Sequence, residues 1–204
     1  MKNIFRHLVA MAVIICFAFA LPEGNPKKIN VVIDAGHGGK DYGAQYEATT
    51  EKDIVKSVAE KIKALNNDDA DVVIHFTRNG DEFKGLDERV EAINALNPDL
   101  VLSLHVNAAK NSTNSGMEFF IAKEAANKAQ SAVYAEKLAA KMKDRYQNIE
   151  IKEASFYILR NTNAPSVNFQ LGYLSSEKDR EYLTTEKGQD ELARYIAEFI
   201  KELK

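Results

Sequence analysis

From residue 29 onward, short apolar runs take turns with amphipathic helical patterns, and that alternation most restricts the fold this chain can adopt. Residues 29–34 are almost wholly apolar, as a strand buried on both faces requires. Ile54, Val55, Val58, Ile62 and Leu65 then recur at helical spacing, so residues 51–65 read as a helix. Thr50 is its expected N-cap, with Asp53 three residues on as in a capping box. Residues 71–77 are the next strand and 86–96 the next helix, with Leu86, Val90, Ile93 and Leu96 turned inward. Residues 100–104 and 117–121 follow as strands, then a helix over 129–145 carrying Val133, Leu138 and Met142. Residues 156–159 and 167–171 read as later strands, and a closing helix carries Leu192, Ile196, Ile200 and Leu203. This order predicts an α/β fold: a single domain with a mostly parallel mixed sheet flanked by helices on both faces.

The start of the chain reads differently. Lys2 and Arg6 precede an apolar run over residues 8–19, and Ala18-Phe19-Ala20 has the small-residue pattern of a cleavage site. Residues 1–20 are expected to be a secretory signal peptide, and 21–28 a short polar leader to a domain over 29–204. The apolar run is short for a bilayer span, which takes roughly 20 residues. The single cysteine, Cys16, leaves with this segment, so neither a disulfide nor a thiolate metal site is expected in the mature chain. Removing Lys2 and Arg6 from the 27 basic residues leaves 25 against 30 acidic ones, a formal charge of −5. The bases are scattered among acids, which excludes a nucleic-acid footprint. No membrane association is expected once the signal is removed.

In open α/β sheets, ligands bind beyond the carboxyl ends of the strands. His37 follows the first strand inside Asp34-Ala35-Gly36-His37-Gly38-Gly39, and His105 ends the run Leu100-Val101-Leu102-Ser103-Leu104-His105. Glu51 opens the first helix between them. Two imidazoles and a carboxylate at such junctions form the ligand set of a catalytic zinc site with an open position. Each member also has an ordinary explanation. His37 is a loop residue among glycines, His105 a core histidine, and Glu51 an acid that suits a helix start. Gly36-His37-Gly38-Gly39-Lys40 fits neither phosphate-loop nor dinucleotide spacing. His75, inside Val72-Val73-Ile74-His75-Phe76 with no glycine or polar loop beside it, reads as a structural strand-face residue.

Several stretches, taken together, resemble one family over nearly the whole mature chain. They are Val32-Ile33-Asp34-Ala35-Gly36-His37-Gly38-Gly39, Glu51-Lys52-Asp53, Thr77-Arg78-Asn79-Gly80-Asp81 and Leu86-Asp87-Glu88-Arg89. Asn94, Ser103-Leu104-His105-Val106-Asn107-Ala108, Gly116-Met117-Glu118, Phe156-Tyr157-Ile158-Leu159-Arg160 and Pro165 continue the match. In order and spacing the chain is similar to the zinc-dependent N-acetylmuramoyl-L-alanine amidases of the type-3 amidase fold. The resemblance implies one Zn²⁺ per domain, held by His37, Glu51 and His105. It implies peptidoglycan as substrate, cut at the amide between N-acetylmuramic acid and L-alanine of the stem peptide. Asn107 and Arg160 are candidate substrate contacts. The expected setting is outside the cytoplasm, periplasmic or secreted, in wall remodelling or cell separation, with any activator protein unidentified.

One position departs from the family. Its catalytic glutamate lies in a strand-end segment of the form Glu-x-Gly-Phe, and here the segment reads Gln170-Leu171-Gly172-Tyr173. Gln170 hydrogen-bonds water or a carbonyl but carries no proton. Glu177 and Asp179, past the following turn, are the nearby acids in sequence. The alternative reading is therefore a zinc- and peptidoglycan-binding module with weak or no turnover. The segment between residues 121 and 129 is too short for a helix that would block the site, a feature of some family members.

Overall fold

The computed structural model describes residues 28–66, 70–143 and 145–203. The expected signal peptide, and the leader up to residue 27, lie outside the described residues. No helix among the described residues is long and apolar enough to cross a membrane.

Eight strands and six helices are described. The strands are β1 (Ile29–Ala35), β2 (Gln45–Tyr46), β3 (Thr49–Thr50), β4 (Val72–Phe76), β5 (Leu100–Asn107), β6 (Met117–Ala122), β7 (Ile149–Ala154) and β8 (Ser166–Tyr173). The helices are α1 (Glu51–Leu65), α2 (Leu86–Leu96), α3 (Lys128–Met142), α4 (Tyr157–Asn161), α5 (Glu177–Thr184) and α6 (Glu186–Lys201). Six strands form one sheet in the order β4-β1-β5-β8-β6-β7, while β2 and β3 make a small separate hairpin. Neighbours are parallel except β6 and β8, so the sheet is mixed and mostly parallel, as the alternation predicts.

Strand periodicity of two sorts the side chains. Val31, Ile33, Leu102, Leu104, Phe119, Phe169 and Leu171 enter a large apolar core with residues of α1, α3 and α6. The intervening Val32 and Val101 pack on the other side with Ile93 of α2, Ile158 of α4 and Ala164. That second core is small, and farther along the same face the side chains turn polar.

Helix α1 starts where the sequence predicts: Thr50 Oγ1 accepts from the Asp53 backbone N–H and donates to Asp53 Oδ2 at 2.6 Å. Several expectations are corrected. Residues 156–159 belong not to a strand but to the entry of helix α4. β8, which they precede, already has β5 and β6 on its two edges, so no pairing place remains beside it. A short apolar run does not by itself distinguish the two states. Leu86 and Leu96 are exposed; α2 instead buries Ile93 and the polar Arg89. Val133 is exposed too, with α3 burying Ala135, Leu138, Ala139 and Met142. The closing helix forms as expected as α6, which buries Leu192, Ile196 and Ile200; the sequence reading missed the separate helix α5 before it, and Thr185 both ends α5 and caps α6. Edge strand β7 has no sequence signature of burial, because Glu150, Lys152 and Glu153 make it a charged edge.

Candidate metal centre

β1 delivers His37 through a turn that needs unusual backbone. His37 itself has φ +60°, a left-handed conformation few non-glycine residues adopt. Two buried guanidinium groups hold it there. Arg89 donates to the His37 carbonyl at 2.5 Å, the Ala35 carbonyl at 2.8 Å and Asp34 Oδ1 at 2.6 Å. Arg78 donates to the carbonyls of Ala35 and Gly36 at 2.9 and 3.2 Å. Asp34 also accepts from Thr77 Oγ1 and Ser103 Oγ, at 2.6 and 2.8 Å. Burial alone would raise the Asp34 pKa, but the Arg89 charge and the Thr77 hydrogen bond hold it below its ordinary value.

Glu51, at the first position of α1, turns its carboxylate between the two histidines. Its Oε2 lies 3.1 Å from His37 Nε2 and its Oε1 2.9 Å from His105 Nδ1. Backbone N–H groups of Ala44 and Val106 donate to the two oxygens at 2.8 and 2.9 Å. Burial opposes ionisation of this 4 % exposed residue, yet hydrogen bonds from His105 and His37 keep its pKa far below the usual range. On the far side of the His37 ring, Nδ1 is 2.9 Å from Asp41 Oδ2. Burial would depress the His37 pKa, but the bonds and charges of Glu51 and Asp41 raise it on balance.

The donor set suits a borderline metal ion. One atom each from His37, Glu51 and His105 lie within 4.8 Å of one another. Two imidazoles with one carboxylate match the ligand preferences of Zn²⁺. Asp41 gives His37 the carboxylate partner that orients metal-binding imidazoles. Glycines keep the cradle open: a Cβ on Gly36 would stand 2.4 Å from His105 Cε1, and one on Gly43 2.4 Å from Glu51 Oε2. The residues present fit zinc.

The trio lies in a cleft of about 440 Å³. Ser103, Asn107, Asn168 and Gln170 extend its polar side, while Leu86, Phe156 and Leu159 stand on the apolar side. Gln170 is in register with His105 on the adjacent strand and donates to Asn168 Oδ1 at 2.9 Å. The structure thus gathers His37, Glu51, His105, Asn107 and Gln170. It does not gather Arg160, which is exposed on α4 beside the Tyr157 ring and does not line the cleft. Asp179 is engaged elsewhere, accepting from Ser115 Oγ and from the backbone of Gly116 and Tyr173. Glu177, at the start of α5, does not line the cleft either. His75 sits on β4 opposite Val32, away from the trio. Sequence reading missed Asp41, Asp34, Arg78 and Arg89. Asp34, Arg78 and Arg89 lie in stretches that carry the family resemblance but had no role attached, and Asp41 stands four residues past His37 in the glycine turn.

The fold and site define a class: α/β domains with two histidines and a glutamate gathered beyond the parallel strands in a donor set that fits a metal ion. Comparison with known proteins narrows it. The sequence profile of the N-acetylmuramoyl-L-alanine amidase family matches residues 31–202, and the chain belongs to that family. The endolysin of Bacillus phage SPP1 is 29 % identical over 180 residues, covering 85 % of this chain and 65 % of the endolysin. The uncharacterised protein YqiI of Bacillus subtilis is 30 % identical over 200 residues, covering 96 % of this chain and 95 % of YqiI. Among solved structures, an N-acetylmuramoyl-L-alanine amidase from Clostridium difficile 630 superposes with a TM-score of 0.79 at 27 % identity, covering 86 % of this chain and 96 % of that one. The chain thus spans just under two thirds of the phage enzyme but nearly all of YqiI.

Proposed function

We propose that this chain is an exported zinc-dependent peptidoglycan hydrolase that cuts the amide between N-acetylmuramic acid and L-alanine, in wall remodelling or cell separation. The observation that carries this reading is the convergence of His37, Glu51 and His105 in one cleft of an amidase-family fold. Zinc held by those three residues supplies Lewis-acid polarisation of a carbonyl and activation of water near neutral pH. The protein's own part is positional. Asp41 orients His37, the backbone of Ala44 and Val106 fixes Glu51, and Leu86 and Phe156 offer an apolar surface to one flank of the substrate. Residues 1–20 would direct export.

A second reading rests on Gln170, which stands where the family resemblance places a catalytic glutamate. General acid–base assistance is typically worth about 10²–10⁴-fold, and a carboxamide does not supply it. On that reading the cleft binds zinc and peptidoglycan with little turnover.

Digestion of purified peptidoglycan by the zinc-loaded domain, read by mass spectrometry, separates the two. Release of stem peptides with a free L-alanine amino terminus, absent with His105→Ala, supports the hydrolase. Intact linkages from fully zinc-loaded protein, with a large gain on Gln170→Glu, support the binding module. Zinc content unchanged by both His37→Ala and His105→Ala would sink either reading.

A further inference from the structure

A second carboxylate stands behind the cleft wall, and nothing so far uses it. Glu118 on β6 is in register with Gln170 on β8, and Gln170 with His105 on β5. Register partners project from the same face, so the three side chains share the polar face of the sheet. Glu118 is 8 % exposed. It accepts from Lys152 Nζ at 2.5 Å and from Asn107 Nδ2 at 2.8 Å. The Tyr173 hydroxyl bonds it as well; burial, then this contact, pushes that phenol up to about 12. Lys152, which also pairs with Glu150, gives the buried carboxylate a cationic partner, so it is not left unpaired.

Asn107 is held at both ends. Its Oδ1 accepts from the Ala108 backbone N–H at 2.9 Å while its Nδ2 donates to Glu118. Those two bonds leave only one orientation of the carboxamide that satisfies both. A primary amide has two N–H donors and two oxygen lone pairs, so one of each remains for a ligand. Asn107 lines the cleft two residues beyond His105.

We infer that Glu118 is a positioning residue that fixes the Asn107 carboxamide, and that Asn107 donates its remaining N–H to an amide carbonyl of the bound substrate. The substrate half of this inference rests on the amidase reading, since a muramoyl-peptide presents a carbonyl at every peptide link. The Glu118 half rests on the hydrogen bonds alone. A carboxylate acceptor is stronger than a neutral one, which suits it to holding a side chain in place.

The test is a double-mutant cycle on a muramoyl-peptide substrate, with the Asn107 side-chain ¹⁵N–¹H₂ signals recorded on the free protein. Asn107→Ala is expected to lower kcat/KM by about tenfold or more. Glu118→Leu should lose a similar factor, and the double variant no more than Asn107→Ala alone. Glu118→Gln should recover part of the loss, because its carbonyl accepts the same bond. Independent, multiplying losses would show that Glu118 only supports the fold, and would overturn the inference. In the amide spectrum, the bonded Asn107 proton should move upfield in Glu118→Leu and by less in Glu118→Gln. If the leucine variant does not fold, an unmoved signal in the glutamine variant overturns the proposal by itself. If the native protein cleaves nothing, the amidase reading fails separately. The same cycle is then read as affinity for a muramoyl-dipeptide, where additive losses again count against Glu118.

Discussion

The two faces of the central sheet are built from the same strands and differ in almost everything else. Toward α1, α3 and α6, the strands present Val31, Ile33, Leu102, Leu104, Phe119, Phe169 and Leu171, all essentially without solvent contact. One residue along in each strand, the opposite face presents Asp34, Ser103, His105, Glu118, Asn168 and Gln170. The first face gains stability by burying apolar area; the second uses the rigidity so obtained to hold polar groups within hydrogen-bond distance of one another. Functional precision on one side is thus underwritten by dry packing on the other. Metal ligation and fold stability should separate when the two faces are changed one at a time.

The largest effect is expected on the dry face. Phe169 is fully buried and stacked on Phe119 with ring centroids 4.2 Å apart. Phe169→Ala should cost about 3–5 kcal/mol of unfolding free energy in denaturant titrations. The zinc stoichiometry of the remaining folded protein should not change. A loss of zinc sites from folded molecules would break the proposed division between faces.

Next in size is Gly36→Ala, which reverses the pattern. The new Cβ would meet the His105 ring at 2.4 Å, while the Gly36 backbone is not in the left-handed region. Zinc affinity, measured by competition with a chelator, should fall by about 10–100-fold, the range seen when metal ligands lose their support. Gly80→Ala is the control, because its Cβ would meet nothing within 4 Å. Its φ of +68° makes the change a backbone cost alone. Equal zinc loss in both variants would count against the steric account.

The smallest effect concerns pH. The Asp34 pKa is lowered in the folded state, so its ionised form is favoured there more than in the unfolded chain. Its contribution is fully present above the unfolded value of about 3.9, and is lost as pH falls through the lower folded value. Acid unfolding of Asp34→Asn should therefore show a shallower fall in stability below about pH 4 than the native protein. A slope unchanged by the substitution would mean that Asp34 is not the group linked to folding there.

Much of this architecture was legible from residue spacing. Helix α1 ends where its 3.6-residue apolar pattern ends, and Thr50 caps it as its side chain suggests. The buried strands β1, β5 and β8 have apolar runs that few other structures accommodate. The run Phe156-Tyr157-Ile158-Leu159 was illegible for a physical reason: four residues satisfy a helical turn and a strand equally well, and only the neighbours decide. Strand β7 was hidden because an edge strand with charged faces has little apolar area to advertise. The trio His37, Glu51 and His105 was legible as a set through its places at element ends and through the family resemblance. The partners that hold it were not.

By spacing and residue type, the sequence established the alternation of strands and helices and the handful of chemically capable side chains, Gln170 among them. Those properties are local. Tertiary structure alone decided which of them meet. Arg89 reaches back 52 positions to the His37 carbonyl, and Glu118 reaches Asn107 across the intervening strand β8. Such contacts depend on strand order and register, which pair residues far apart in the chain, and no local pattern encodes a partner that distant.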